Sequence, residues 1–348
     1  MPMPNVLRVL DAGQESLEAQ RVRAGLTSRI VGQTEAIDAF VGLIEKYNSR
    51  MYDTTRPIGS FLFTGPTGVG KTRLVEAFCE TLRGDKKCLL KIDCGEFQHS
   101  HEVAKLLGSP PGYLGHRETA PLLSTSRILD LMGGQADKYP FGVILFDEIE
   151  KSSDALWHLL LGILDKGTLT LGTNERVYLT NTLVLMTSNA GSSEMSSALG
   201  FGLGFQPNIS INNEEIKHIG EEAAKRKFTT EFINRLDKII ACHALTKDQI
   251  RTIATKEIGY LQHDIYVRCT PRVAFTLSEA AFEALVDEGY DPKYNARNIK
   301  RVIDQRLRLP LSRIVAQGTV SENESVYIDM EDGSFVFGAV AGVAHAGA

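Results

Sequence analysis

Hydrophobic positions fall into two regimes along the chain. From about Ser60 to Leu245, short apolar or β-branched runs alternate with stretches of helical period. The runs are Phe61–Thr64, Leu89–Asp93, Val143–Asp147, Leu183–Thr187 and Lys238–Cys242, each bounded by turn residues. They are continuously apolar, the pattern of strands covered on both faces, and so predict an α/β fold whose parallel five-stranded sheet is flanked by helices. After Thr246 the period is mainly helical, over Lys247–Val267, Ser278–Glu288 and Ala296–Gln317. Short strands are expected there at Val273–Thr276 and Ser325–Met330. This divides the chain into an α/β domain over 26–245 and a smaller, mainly helical domain over 246–334. Residues 1–25 read as a lead-in with a short helix around Ser16–Ala24. Residues 335–348, ending AGVAHAGA, read as a flexible tail.

Composition narrows this picture without redirecting it. A hydrophobic content of 43% and a charged content of 23% over 348 residues are ordinary for a soluble globular protein. The net charge of −5 argues against a nucleic-acid surface as the main business of the chain. Five cysteines, an odd number without paired spacing, read as reduced thiols. Cys94, His99 and His101 lack the spacing of a tetrahedral metal set. The N-terminus has no basic leader followed by a long apolar run. No stretch approaches the roughly 20 apolar residues that span a bilayer. A cytoplasmic protein is expected, with neither membrane nor nucleic acid as partner.

The chemistry begins at Gly65-Pro66-Thr67-Gly68-Val69-Gly70-Lys71-Thr72, which follows the run FLFT and precedes the helical RLVEAFCETL. Glycines in a strand–loop–helix turn let backbone N–H groups surround phosphate oxygens at a helix N-terminus. Lys71 then supplies charge to the β- and γ-phosphates of ATP or GTP, and Thr72 offers a hydroxyl to Mg²⁺. The run Val143–Phe146 carries Asp147 and Glu148 to the end of a buried strand, where open α/β sheets bind ligands. Asp147 is expected to hold Mg²⁺, directly or through water, and Glu148 to act as general base on the attacking water. A third run, Leu183–Thr187, leads to Asn189, whose amide would reach the γ-phosphate or that water if its strand adjoins the first. A turn-forming asparagine before Ala190-Gly191 is the other reading.

GPTGVGKT, VILFDEIEK and LVLMTSNAG together resemble the P-loop AAA+ ATPases, specifically the Clp unfoldases, and most of all the second ATPase module of ClpA, ClpB and ClpC. The likeness runs from about Leu26 to Met330. It implies an AAA+ core followed by a helical lid. Ile30 and Val31, in Ile30-Val-Gly-Gln33, resemble the segment that holds adenine. Gly112, Tyr113, Leu114 and Gly115 resemble the substrate-gripping pore loop. Gly167–Arg176 resembles a second pore loop, or is a plain β-hairpin. Arg235 resembles the arginine finger given to a neighbouring subunit, with an internal salt bridge to Asp237 or another acid as the alternative. Arg297 resembles the second sensor arginine of the lid, contacting nucleotide in its own subunit.

The same resemblance implies a homo-oligomer, a hexameric ring, that unfolds or remodels protein substrates. Two Leu-Gly-Phe copies, Leu199-Gly200-Phe201 and Leu203-Gly204-Phe205, lie where related chains dock a ClpP-like peptidase. A flexible loop folded back onto its own subunit is the other reading of these copies, and a nucleotide-gated scaffold that threads nothing is the other reading of the whole chain. Three departures stand out. Asn295 replaces the family's glycine, and asparagine tolerates a left-handed backbone better than most residues. Phe228-Thr-Thr-Glu-Phe232 lacks the arginine of the family's Phe-Arg-Pro-Glu-Phe. Ser124–Pro140, with its Gly-Gly break, reads as a surface insertion. The segment before the match is too short for the larger Clp proteins' extra domains, so substrate choice would fall to the pore, an insertion or an adaptor.

Overall fold

The computed structural model describes residues 11, 13–109, 121–134, 137–198, 213–269, 273–291, 294–321 and 324–341. Its first part holds strands β1 (Gly59–Thr64), β2 (Leu89–Asp93), β3 (Gly142–Asp147), β4 (Thr168–Thr170), β5 (Arg176–Tyr178), β6 (Thr182–Thr187) and β7 (Lys238–Ala241). Five of them form one all-parallel sheet in the order β2–β3–β6–β1–β7. These are the five expected strands, in near-identical bounds. β4 and β5 make a separate antiparallel hairpin inside Gly167–Arg176 and just beyond it.

The two-sided burial of the sheet has a direct cause. Phe61, Phe63, Val143, Leu145, Leu183 and Leu185 enter one core, with helices α1 (Leu17–Arg29), α2 (Thr34–Asn48) and α3 (Lys71–Arg83). Their strand neighbours Leu62, Ile144, Phe146, Val184 and Met186 point the other way. That second core is filled by α4 (Ala104–Leu107), α5 (Thr125–Met132), α6 (Asp154–Lys166), α8 (Asn213–Lys227) and α9 (Thr230–Asn234), while α7 (Ser192–Ala198) lies beside α8. Alternation along the central strands thus feeds two cores, which is why their middle positions are apolar on both faces.

The segment read as a surface insertion is only partly that. α5 buries Ile128 and Leu131, and Gly133 ends it at φ 72°. Arg83, at the end of α3, donates to the carbonyls of Leu131 (2.8 Å), Met132 (2.6 Å), Tyr139 (2.6 Å) and Phe141 (3.0 Å).

Beyond Leu245 a third core gathers α10 (Lys247–Arg268), α11 (Glu279–Gly289), α12 (Ala296–Ile303) and α13 (Leu309–Gln317). The helix expected over Ala296–Gln317 is interrupted by a π-helical stretch at Asp304–Arg308. Pro310 explains it: proline has no N–H to give the preceding turn, and its ring crowds the carbonyl four residues back. A three-stranded sheet completes this part, with β9 (Glu324–Glu331) between β8 (Ala274–Leu277) and β10 (Ser334–Ala341). β10 corrects the expectation of a flexible tail from residue 335. Asp332 and Gly333 both take positive φ (47° and 76°), a two-residue turn that returns the chain antiparallel along β9. Phe335 and Phe337 then pack against the third core. Residues 342–348 lie outside the described residues. Among the described residues no helix is long and apolar enough to cross a membrane.

Candidate active site

Sheet order decides which loops meet. β6 lies between β1 and β3, so the chain leaving β6 stands between the P-loop after β1 and the acidic pair after β3. Asn189 therefore touches both. Its Oδ1 accepts from Lys71 Nζ at 2.9 Å and from Thr67 Oγ1 at 3.4 Å, while its Nδ2 donates to Glu148 Oε1 at 3.4 Å. Its backbone N–H donates to Glu150 Oε1 at 3.0 Å, fixing the turn. The asparagine is thus more than a turn former.

The P-loop runs from β1 into α3, whose first residue is Lys71. Gly65 and Gly68 have no alternative: a Cβ would stand 2.3 Å from the Cys242 carbonyl oxygen at the first and 2.2 Å from that of Tyr294 at the second. Val69 anchors the loop in the first core. Lys71 is buried, and its ammonium donates to the carbonyls of Gly65 (2.7 Å) and Pro66 (2.8 Å). Burial holds its pKa below the ordinary lysine value, against the pull of nearby Glu150, Asp147 and Glu148.

Opposite stands Asp147. Thr72 Oγ1 lies 3.1 and 3.2 Å from its two carboxylate oxygens, Lys91 Nζ is 2.7 Å from Oδ2, and the Thr187 hydroxyl donates to Oδ1. Burial disfavours ionisation of Asp147, but Lys91 and the hydroxyls of Thr187 and Thr72 outweigh it and keep the carboxyl below its ordinary pKa. Glu148 takes a left-handed backbone (φ 58°), its N–H donating to Thr187 Oγ1 at 2.9 Å and its carboxylate paired with Lys151.

These groups line a cavity of about 430 Å³. Ile30, Val31, Leu245 and Ile253 contribute apolar lining, and Lys71, Thr72, Asp147 and Asn189 polar lining. Arg297 lines it from α12. Arg235 does not: it caps α9 and pairs with Asp165 at the end of α6, exposed by more than a third. The internal salt bridge, the other reading of Arg235, is therefore present with Asp165 as its acid, while Asp237 is engaged by Arg56 and by the backbone and hydroxyl of Ser60. Gly112–Gly115 and Leu199–Phe205 lie outside the described residues. The bases of the two pore-loop-like segments do meet, Gly172 N–H donating to the Leu107 carbonyl at 2.9 Å.

Sequence reasoning missed three residues. Lys91 was legible as a charge inside an apolar run, and Thr187 as a hydroxyl at a strand end. Gln33 gave no such signal. It is buried with φ 57°, and its carboxamide ties His243 N (3.0 Å) and O (2.9 Å) to Val69 O (3.3 Å). Asn295 takes the positive φ expected of it, but at φ 48°, ψ −135°, which is a type II′ turn conformation and not the left-handed helical one. Such a residue costs on the order of 1–3 kcal/mol unless its surroundings hold it.

Comparison with known proteins gives the chain's family. Residues 56–239 match the family described as AAA domain (Cdc48 subfamily), and residues 245–328 match the C-terminal, D2-small domain of ClpB protein. The chain is 36% identical over 332 residues to the chaperone protein ClpB of Rhodopirellula baltica, covering 95% of this chain and 35% of that protein. It is 35% identical over 312 residues to the ATP-dependent Clp protease ATP-binding subunit ClpC of Staphylococcus epidermidis, covering 90% and 36%. For ClpB of Meiothermus ruber the values are 36% over 323 residues, 93% and 35%. The chain thus spans about a third of the length of these relatives. With a match to the AAA domain over 56–239 and to the ClpB-type small domain over 245–328, the chain belongs to the AAA ATPases of the Clp family.

Proposed function

We propose that the chain couples ATP hydrolysis to the unfolding or remodelling of polypeptides, as one subunit of a hexameric ring. The observation that carries the reading is the meeting of Lys71, Thr72, Asp147, Glu148 and Asn189 in one cavity while Arg235 stands outside it. The cavity has four of the parts phosphoryl transfer needs: a phosphate cradle, a metal-side carboxylate, a base and an orienting amide. Of the two arginines that the sequence singles out, it holds Arg297 and not Arg235, which a neighbouring copy could bring. A ring in which Arg235 of one subunit reaches the next subunit's cavity supplies it, through a heterologous, closing interface.

Thr72 and Asp147 suit Mg²⁺, which takes one or two protein oxygens beside phosphate and water, and which would neutralise charge on the β- and γ-phosphates. Among the described residues no cluster of three or more His, Cys, Asp or Glu forms a cage for any other metal. Lys71 places the γ-phosphoryl group, Glu148 takes the proton of the attacking water, and Asn189 orients that water against Glu148. Arg297 carries the state of the phosphates to the C-terminal domain. Ile30 and Val31 receive the adenine ring against the apolar lining of the cavity. Rotation of the C-terminal domain then moves Gly112–Gly115, with Tyr113 at the tip, along the polypeptide.

The names of the relatives support both a chaperone and a peptidase-linked ATPase. The paired Leu-Gly-Phe copies, Leu199–Phe201 and Leu203–Phe205, favour the second as docking elements for a ClpP-like peptidase. Threading separates either from a scaffold that only binds nucleotide. Tyr113→Ala should leave ATP hydrolysis within about twofold of the unaltered chain and cut ATP-dependent unfolding of a model protein at least about tenfold. Unfolding at an unchanged rate would count against threading.

A further inference from the structure

The junction between the two domains turns on one residue. Asn295 is buried, precedes α12, and holds its backbone in a type II′ conformation dominated by glycine. A glycine would adopt φ 48°, ψ −135° without cost, so the backbone alone does not explain a side chain here. The carboxamide does. Its Oδ1 accepts from Leu245 N at 2.9 Å, and its Nδ2 donates to Thr67 O at 3.2 Å. Leu245 belongs to the third core, so the first bond lies within the C-terminal domain. Thr67 belongs to the P-loop, so the second crosses between domains. A parallel backbone bond, Ala296 N to Gly68 O at 3.2 Å, crosses beside it. The Tyr294 carbonyl closes against Gly68 so tightly that no Cβ fits between.

We propose that Asn295 is a positioning residue, a latch that holds the C-terminal domain on the P-loop and thereby slows the release of nucleotide. The inference rests on the nucleotide reading of the cavity. Moving α12 away from the P-loop breaks both crossing bonds and withdraws Arg297, two residues further on, from the cavity it lines. The bond to Leu245 survives that movement, because both of its ends travel together. A side chain fixed at one end in the moving domain therefore presents a donor to a carbonyl of the stationary loop, which a glycine cannot do.

Release of a fluorescent ADP analogue, followed by stopped flow in the full chain, tests this. Asn295→Gly removes both side-chain bonds without straining the backbone. Asn295→Asp keeps an acceptor for Leu245 N and has no donor for Thr67 O, but adds a negative charge beside the P-loop, so the neutral Asn295→Gly carries the test and Asn295→Asp is read against it. Both variants should release the analogue about fivefold faster, the effect of about one net hydrogen bond. A role in folding alone would lower the unfolding midpoint and leave release from the folded chain unchanged. Release within about 1.5-fold of the unaltered chain in both folded variants overturns the latch. Should neither variant fold, amide exchange of the unaltered chain decides. ADP should slow exchange at Ala296 N–H, and an unchanged rate overturns the proposal. An unaltered chain that does not bind the analogue overturns the nucleotide reading itself, whereas binding with unchanged release in the variants overturns only the latch.

Discussion

At the scale of single residues, the site works by giving each charged or polar group more than one partner. Asp147 is held ionised by Lys91, Thr72 and Thr187 together, although burial opposes it. Asn189 reads Lys71 with its oxygen and Glu148 with its nitrogen, so a shift of either carboxylate or ammonium reaches the other through one amide. His243 is the counter-example. Its Nδ1 is buried with no hydrogen-bond partner among the described residues, and burial pushes its pKa below the ordinary histidine value. The unfolded chain therefore takes up this proton first. Stability from a neutral His243 is fully present above about pH 6.5 and is lost as pH falls through the lower folded value. Thermal unfolding midpoints should decline on acidification from about pH 7, and His243→Phe, which keeps the backbone bonds to Gln33, should flatten that decline. An unchanged slope in the variant would exclude His243 as its source.

Among the elements, Arg83 shows how a short helix outside the sheet is held. One guanidinium satisfies four carbonyls, of Leu131, Met132, Tyr139 and Phe141, joining α3 to α5 and to the entry of β3. Arg83→Ala should destabilise the chain by about 2–4 kcal/mol, since it strands several partly buried carbonyls. Chemical denaturation measures this, and a loss below about 0.5 kcal/mol would show that water replaces the guanidinium freely. The elements also show what was legible from the chain. The five parallel strands could be read because each is a largely apolar run between turn residues, and the P-loop, Asp147 and Glu148 because they sit at strand ends. The break at Asp304–Arg308 and strand β10 were missed although their signals stood in the sequence, as Pro310 and as Asp332-Gly333 before Phe335 and Phe337. Low complexity in AGVAHAGA drew attention from the alternation just before it. What could not be read was Gln33 and the double engagement of Asn295, because both bring together residues far apart in the chain.

For the whole molecule, the position of Arg235 matters most. It lies outside the cavity, more than a third exposed and paired with Asp165. If it acts between subunits, Arg235→Ala should bind ATP as well as the unaltered chain and lose turnover by on the order of 10³-fold. Mixing it with Lys71→Ala subunits, which retain Arg235 but cannot hold the phosphates, should recover part of the activity. In such mixed rings an intact cavity meets an intact arginine at some interfaces. No recovery in rings shown to be mixed would place Arg235 within its own subunit's function.

The account stands on Glu148 as the base of an ATP-hydrolysing cavity, and that is open to one comparison. ATP binding and steady-state turnover should be measured for the unaltered chain and for Glu148→Gln, under conditions where each assembles. The variant should bind ATP with an affinity within about threefold of the unaltered chain and turn it over at least about 10²-fold more slowly, because glutamine keeps the contact to Asn189 but cannot take the proton. Equal turnover in the two proteins, with ATP bound by both, would contradict the assignment on which the rest depends.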